Sequence, residues 1–459
     1  MNKALLLALV VSCFSLSAWA QQDNLPVSDL ESSLSDVALV VEPLKNKNNT
    51  LYEVLAQAYE NNPSVRAARA ELLAVQEQLD QAQAGFKPSV AADLDVTHTD
   101  TEVEGSSFVA QDGGNTSKTA SLNLQQPLYR GGRTQAEINQ AKNIIAAQEF
   151  ALSGVEQNIL YTAAMTYMDV LRDEAVLTLN ENNRELLSHE KERAENRFLV
   201  GELTRTDVSQ SHARLAAAEA NVITAKGQLK RSKAVFRQIT GTLPPPDMGY
   251  PEKQVELPGT LEEALALADS NNREVLQSQF IKQAAEYNVD SQKGALLPEI
   301  SAIGQLNKSY DPSSLIDEQR QASVGVNASI PLYQAGADRS RIRQAKKIAN
   351  QRSIQIVEAK EKAKQETVES WEALQAAQAE VKARELQIEA ARIAREGVDY
   401  ETKLGERTTL DALNANQELL DAQVSLIEAK RNEVVARFAL ARTLGILVPQ
   451  KLGFSSITP

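Results

Sequence analysis

Two long intervals of this chain contain no proline, Pro127 to Pro244 and Pro331 to Pro449, and nothing else in the sequence limits its fold so strongly. Both are rich in Ala, Glu, Gln, Lys, Arg and Leu, the residues that lose least on entering a helix. The first reads as a helix from about Thr134 to Val200, a glycine turn, and a returning helix from Thr204 to Thr240. The second repeats that order, with a helix from about Ala337 to Leu404 and a return from Thr408. Each long helix has about 65 residues, and at about 1.5 Å per residue it is roughly 100 Å long. Helices of globular domains seldom pass about 25 residues, so rods of this length belong to an extended coiled-coil-like assembly.

The second half copies the first. "TLYEVLAQAYENNPSV" from Thr50 matches "TLEEALALADSNNREV" from Thr260, and "KPSV" at 87–90 matches "LPEI" at 297–300, both at an offset of 210. "QPLYRGGRTQAEINQAK" from Gln126 then matches "IPLYQAGADRSRIRQAK" from Ile330 at an offset of 204. The halves thus differ by six residues, all between Pro88 and Pro127. Such long repeats exclude a solenoid of short units. The expected division is a signal peptide 1–20, an N-terminal extension 21–50, a first repeat 51–241, a Pro-rich linker 242–259, a second repeat 260–447 and a tail 448–459. Helical stretches Leu51 to Ala84 and Leu261 to Lys293 precede the strands. The segment from Pro63 to Ala84, stacked on the shorter returning helix, nearly matches one long helix. The chain would then leave its rod at mid-height, where "GTLPPPDMGYPEKQVELPG" forms an equatorial belt.

The start, "MNKALLLALVVSCFSLSAWAQQ", has one lysine, a short apolar run and Ala18-Trp19-Ala20, the pattern of a secretory signal cut after Ala20. "VVSC" offers an alternative, lipidation at Cys13, the only cysteine. Cleavage at "AWA" removes that thiol, and with it disulfides and thiolate metal ligands. The net charge of −13 disfavours a general nucleic-acid binder. His98, His189 and His212 lack ligand-like spacing, and no phosphate loop or nucleophile elbow is present. No enzyme, metal or cofactor is expected.

Four segments alternate between apolar and small polar residues, at about 89–97, 119–127, 300–308 and 322–330. In the first, Val90, Ala92, Leu94 and Val96 alternate with Ala91, Asp93, Asp95 and Thr97; in the last, Ala322, Val324, Val326 and Ala328 alternate with Ser323, Gly325, Asn327 and Ser329. The third is weaker, because Ile303 falls on the polar face. Strands with one apolar and one polar face suit an outer-membrane barrel with a wet lumen. A soluble antiparallel sheet is the competing reading. Four strands cannot close a barrel in lipid, since each unpaired backbone group there costs several kcal/mol. The chain would have to share a barrel with copies of itself, giving eight, twelve or sixteen strands.

The glycine turns are themselves a repeat. Gly201, Glu202, Thr204 and Asp207 recur as Gly405, Glu406, Thr408 and Asp411. Glycine suits a helix end, and Thr-x-x-Asp is a capping-box variant whose carboxylate favours a helix amino end. The plain role of these four residues is a tight helical hairpin near 201–204 and again near 405–408. In an oligomer the same carboxylates would also form rings at the far end of a tube, where acidic rings attract cations.

Taken together, the tandem halves, "QPLYRGG" at the strand-to-helix passage and "RFLVGELTRTDV" at the hairpin tip resemble the TolC family of outer-membrane channel components. The resemblance implies a homotrimer with a twelve-stranded barrel in outer-membrane lipid and a periplasmic helical barrel joined to a mixed equatorial belt. It implies a periplasmic adaptor (membrane fusion protein) and an inner-membrane ABC exporter or proton-driven pump as partners. At the tip, Asp411 matches the family's ring aspartate, while the second ring position is Asn414. Arg407 matches the gate arginine, and Thr206 and Asp207 its partners on the first hairpin. The family's gate tyrosine is replaced by Thr402, so weaker cation selectivity and a looser tip are expected. The resulting expectation is a mainly α protein with a small β part, serving as an outer-membrane exit duct. "QPLYRGGRTQAEINQA" inclines this towards type I protein secretion, with drug efflux as the alternative. A non-conducting periplasmic coiled-coil adaptor is the alternative from another class.

Overall fold

The computed structural model describes residues 51–102, 113–246, 248–251, 255–313 and 316–452. The signal peptide, Cys13, the N-terminal extension, most of the first strand-to-strand loop and the tail beyond 452 lie outside the described residues.

The first half runs α1 (Leu51–Asn61), α2 (Pro63–Gln83), β1 (Ser89–Thr101), β2 (Gly113–Arg130), α3 (Arg133–Leu199) and α4 (Arg205–Thr240). The second runs α5 (Leu261–Asn271), α6 (Arg273–Gly294), β3 (Glu299–Ser313), β4 (Ile316–Ser329), α7 (Ala337–Leu404) and α8 (Thr409–Thr443). The long helices have 67 and 68 residues, so their unbroken length is set by the proline-free composition that predicts it. The buried side of α7 is thin and mostly alanine: Ala345, Ala359, Ala363, Ala377 and Ala391, with Asp338, Thr367 and Leu374. Small residues on the seam let neighbouring rods approach closely along most of their length.

The helical stretches before the strands are broken where the sequence suggested continuity. Asn62 and Asn272 leave helical geometry, at φ −67°, ψ 124° and φ −61°, ψ 127°. The Asn62 side chain accepts from Ser64 N at 2.9 Å and donates to Ile239 O at 2.9 Å. Asn272 accepts from Glu274 N at 3.0 Å and donates to Thr443 O at 3.1 Å. Each asparagine thus caps one helix and ties it to the end of a returning helix. Both are buried, so their amides satisfy backbone groups that water cannot reach.

Around these joints lies the main apolar core. Val54, Leu55 and Tyr59 of α1, Leu160, Tyr167 and Val170 of α3, Phe236 of α4, and Phe438 and Leu440 of α8 are fully or nearly fully buried. A buried aliphatic or Phe side chain contributes about 1.5–3 kcal/mol, and this density is absent from the alanine seams. The Pro-rich linker is strapped on here. Tyr167 Oη donates to Gly249 O at 2.7 Å, and Tyr250 Oη donates to Lys430 O at 3.0 Å. Burial pushes the Tyr250 phenol up to about 12, so it remains a donor at any physiological pH.

The four strands form one antiparallel sheet in the order β1-β2-β3-β4. They are longer than the sequence pattern suggested, chiefly at the ends away from the helices, where Thr99 pairs with Asn115 and where β3 and β4 run on past an irregularity at Asp311 and Asp317 to the Ser313–Ile316 pair. β2 also passes through Pro127 to Arg130, with a register shift between Pro127 and Tyr129. Such an irregularity is where a strand tolerates a residue without an N–H. Ile303 does lie on the polar face; it sits opposite Gly325 and covers the space that residue leaves.

Register places Val90, Leu94, Val96, Leu122, Leu124, Leu306, Val324 and Val326 on one face. Asp93, Asp95, Thr119, Asn123, Ser309 and Asn327 occupy the other. Polar side chains on the latter bond to one another: Asn123 Nδ2 donates to Asp93 Oδ2 at 2.8 Å, and Thr119 and Ser309 hydroxyls meet at 3.1 Å. The apolar face is bare in the single chain, with Leu94 83% and Val324 93% exposed.

The passage from β2 to α3 turns on Gly131 and Gly132, at φ +62° and +78°. A Cβ on Gly131 would stand 2.2 Å from Gly294 O, whereas one on Gly132 meets nothing within 4 Å. In the second half Ala335 occupies the position of Gly131 at φ +48°, so handedness alone does not demand glycine. Gly132→Ala should therefore cost about 1–2 kcal/mol of left-handed strain, and Gly131→Ala clearly more, because backbone must move. Heat-induced dissociation of the purified protein measures this; equal shifts for the two variants would contradict the close-approach account.

Candidate functional site: the paired hairpin tips

Both hairpins carry the same glycine turn and the same cap. Gly201 and Gly405 end the long helices at φ +82°. Glu202 N donates to Arg197 O at 2.9 Å, and Glu406 N to Glu401 O at 3.0 Å, which satisfies carbonyls that the helix end leaves open. Thr204 N and Oγ1 then donate to Asp207 Oδ2 at 3.0 and 2.7 Å, and Asp207 N donates back to Thr204 Oγ1 at 3.3 Å. At Thr408 and Asp411 the corresponding distances are 3.0, 2.7 and 3.2 Å. These are complete capping boxes.

The boxes hold both carboxylates in their charged form. Hydrogen bonds from the Thr204 hydroxyl and then its backbone N–H lower the Asp207 pKa below its ordinary 3.8. The Thr408 hydroxyl and N–H do the same for Asp411. One carboxylate oxygen of each, Oδ2, is engaged by the cap. The helix-capping role is thus realised at both positions, and the charge stays at the tip.

The remaining tip residues pair differently from the family pattern. Within the chain, Arg407 Nε donates to Glu401 Oε2 of its own hairpin at 3.0 Å, and Arg197 Nε to Glu202 Oε2 at 3.0 Å. Arg407 and Asp207 do not form an ion pair within the chain, and Thr206 is exposed. Asn414 is engaged sideways: Arg214 Nη2 of α4 donates to Asn414 Oδ1 of α8 at 2.6 Å, bridging the two hairpins. Beneath it Leu187, Ala218 and Leu413 form a small buried cluster with Leu215 packed on it. Arg395 Nε donates to Asn416 Oδ1 at 2.9 Å on the second hairpin. Sequence reading passes over Arg214, because nothing local marks an arginine whose partner lies 200 residues away.

No competing centre is found outside the tips among the described residues. Among the described residues no group of three or more His, Cys, Asp or Glu is placed to hold a metal ion. His98 bonds to the Thr116 hydroxyl at 2.9 Å and His212 to Glu195 at 2.8 Å. No described helix is long and apolar enough to cross a membrane.

A long duplicated helical body, a four-stranded sheet with one bare apolar face, and paired acidic hairpin tips define an outer-membrane channel. The chain belongs to the family described as Outer membrane efflux protein, which matches residues 54–242 and 264–446, one block per repeat. It is 32% identical to the Outer membrane efflux protein BepC of Brucella suis over 88% of this chain and 87% of the relative. It is 24% identical to the alkaline protease secretion protein AprF of Pseudomonas aeruginosa over 85% of this chain and 83% of that relative. The CmeC outer membrane channel of Campylobacter jejuni superimposes with a TM-score of 0.76 at 15% identity, over 89% of this chain and 91% of the other. The protein is therefore a channel and not an enzyme, located in the outer membrane with its helical part in the periplasm.

The capping boxes fix the sign of a pH effect. A carboxylate whose folded pKa is depressed contributes stability that is complete above the unfolded value near 3.8 and lost as pH falls through the folded one. Amides of 199–210 and 403–414 should then lose protection as pH drops below about 4, corrected for intrinsic exchange, while the equatorial core does not. Thr204→Ala, which removes the cap, should cost about 1 kcal/mol locally and speed exchange at the first tip about fivefold at neutral pH. Unchanged exchange in both tests would contradict the capping account.

Proposed function

We propose that three copies of this chain form one exit duct, which passively carries cargo delivered by an inner-membrane transporter and a periplasmic adaptor. The observation that carries the reading is the sheet: among the described residues its apolar face is uncovered and both edge strands lack partners, while helices of about 100 Å continue from it. The polar face then lines a lumen. The adaptor engages the hairpin tips, where Phe198, Leu199, Val200 and Leu404 are exposed.

Asp411, one per chain, supplies a three-carboxylate ring at the tip, and Asp207 serves chiefly as a cap. Arg407 reaches Asp207 and Thr206 of the other hairpin only by exchanging its present partner, Glu401. With Asn414 and Thr402 in place of the family's acid and tyrosine, the closed tip is held by fewer charged contacts. For cargo we favour secreted protein delivered by an ABC exporter, supported by the likeness of "QPLYRGGRTQAEINQA" to the secretion branch and by the relative named for protease secretion. The efflux reading is supported by the relative named an efflux protein.

Planar-bilayer recording under a KCl gradient tests the duct. Discrete channels with a cation-selective reversal potential are expected, and Asp411→Ala should move that potential towards zero. Channels of unchanged selectivity would return Asp411 to a capping role alone. A folded, detergent-free soluble protein without conductance would overturn the duct.

A further inference from the structure

On the lipid-facing side of the sheet, apolar residues give way to cations near the outer end of three neighbouring strands, at one height on β3 and β4 and one same-face position further out on β2. Moving outward from the helices, β3 reads Ala302, Gly304, Leu306 and then Lys308; β4 reads Val326, Val324, Ala322 and then Arg320; β2 reads Leu124, Leu122, Ala120 and then Lys118. Register pairs Lys308 directly with Arg320, and places Lys118 beside Tyr310 one same-face position further out. Directly opposed side chains have Cβ atoms about 5 Å apart, and the next same-face position lies about 7 Å along. Across the two strand spacings from β2 to β4, the three cations therefore start from Cβ atoms within about 12 Å of one another.

The patch is organised. Glu318 is in contact with Arg320, and its Oε1 lies 3.3 Å from Lys308 Nζ. The Lys308 ammonium lies 4.5 Å from the Tyr310 ring centroid. Glu318 and Tyr310 thus fix two cations in position, yet one carboxylate leaves a surplus of two positive charges on a chain of net charge −13. The other acid on this face of β1, Asp100, stands opposite Gly114, four residues beyond the Val96–Lys118 pair, or about 13 Å away. Arg320 is 60% exposed and Lys118 is also exposed, so both can accept a ligand. Beside an apolar band, exposed cations face headgroups and not bulk water, and a guanidinium with two ammonium groups matches phosphate oxygens.

We propose that Lys118, Lys308 and Arg320 form a binding site for a phosphorylated lipid headgroup at the outer rim of the barrel. The proposal rests on the trimeric duct reading, which repeats the site three times around the rim. Each bound lipid would seal the rim where the strand surface changes from apolar to polar.

The test uses the purified oligomer in uncharged detergent, titrated with bisphosphorylated lipid A, with its dephosphorylated form, and with inorganic phosphate. The phosphorylated lipid should raise the temperature of oligomer dissociation by several degrees, since a ligand of the folded state stabilises it. The variant Lys118→Ala/Lys308→Ala/Arg320→Ala should need at least tenfold more lipid for the same shift. Equal shifts from both lipids on the wild-type protein, or an unaltered response of the variant, would overturn the site. A full shift from inorganic phosphate would overturn the lipid assignment. Conductance of the same preparation separates the two readings: conducting channels without lipid discrimination sink the headgroup site alone, whereas absence of an oligomer sinks both.

Discussion

An unpaired backbone amide cannot stay in hydrocarbon, and this constraint organises the molecule. Four strands in the order β1-β2-β3-β4 leave one edge on β1 and one on β4. A membrane-embedded sheet must satisfy both edges by pairing, and a closed ring of identical chains does so with a single repeated contact. Once the barrel is shared, the helices that leave its strands are shared as well. They can be long and thinly packed because each rod is flanked by others on both sides. The alanine seam of α7 makes sense on those terms, as does the scarcity of large buried side chains away from the equator.

The equator is where a single chain is most self-sufficient. Two buried asparagines, one per repeat, end one helix, begin the next and hold the last turn of a returning helix. The largest apolar side chains gather there, and the linker between the repeats is tied on by Tyr167 and Tyr250. The tip is built on the opposite principle. Its order comes from local caps and short Arg–Glu pairs within each hairpin, with Arg214–Asn414 as a bridge between them. Local bonds of this kind let each hairpin keep its own shape, which suits the gate proposed for this end.

Much of this was legible in the residues. Proline spacing gave the rods almost to the residue, and the matched halves gave the order of elements. The period-two alternation marked all four strands, and Thr-x-x-Asp marked both caps. The misses share one cause, dependence on partners distant in sequence. "ENNPSV" and "SNNREV" read as continuing helix because each break is held by a carbonyl more than 170 residues away. The outer parts of the strands lost their alternation because polar residues there occupy both faces. Arg214 was invisible because its bond to Asn414 exists only when α4 and α8 are side by side.

Covalent trapping of the shared edge tests the central claim most directly. Cys13 is the only cysteine in the sequence, so in a Cys13→Ser background Ala91→Cys on β1 can be combined in turn with Ser323→Cys, Gly325→Cys and Asn327→Cys on β4. Oxidation of membrane fractions should give, for at least one pair, linked species that stop at three chains, and neither single-cysteine parent should do so. A product that remains one chain for every pair, or a ladder continuing beyond three, would contradict a barrel closed by three copies.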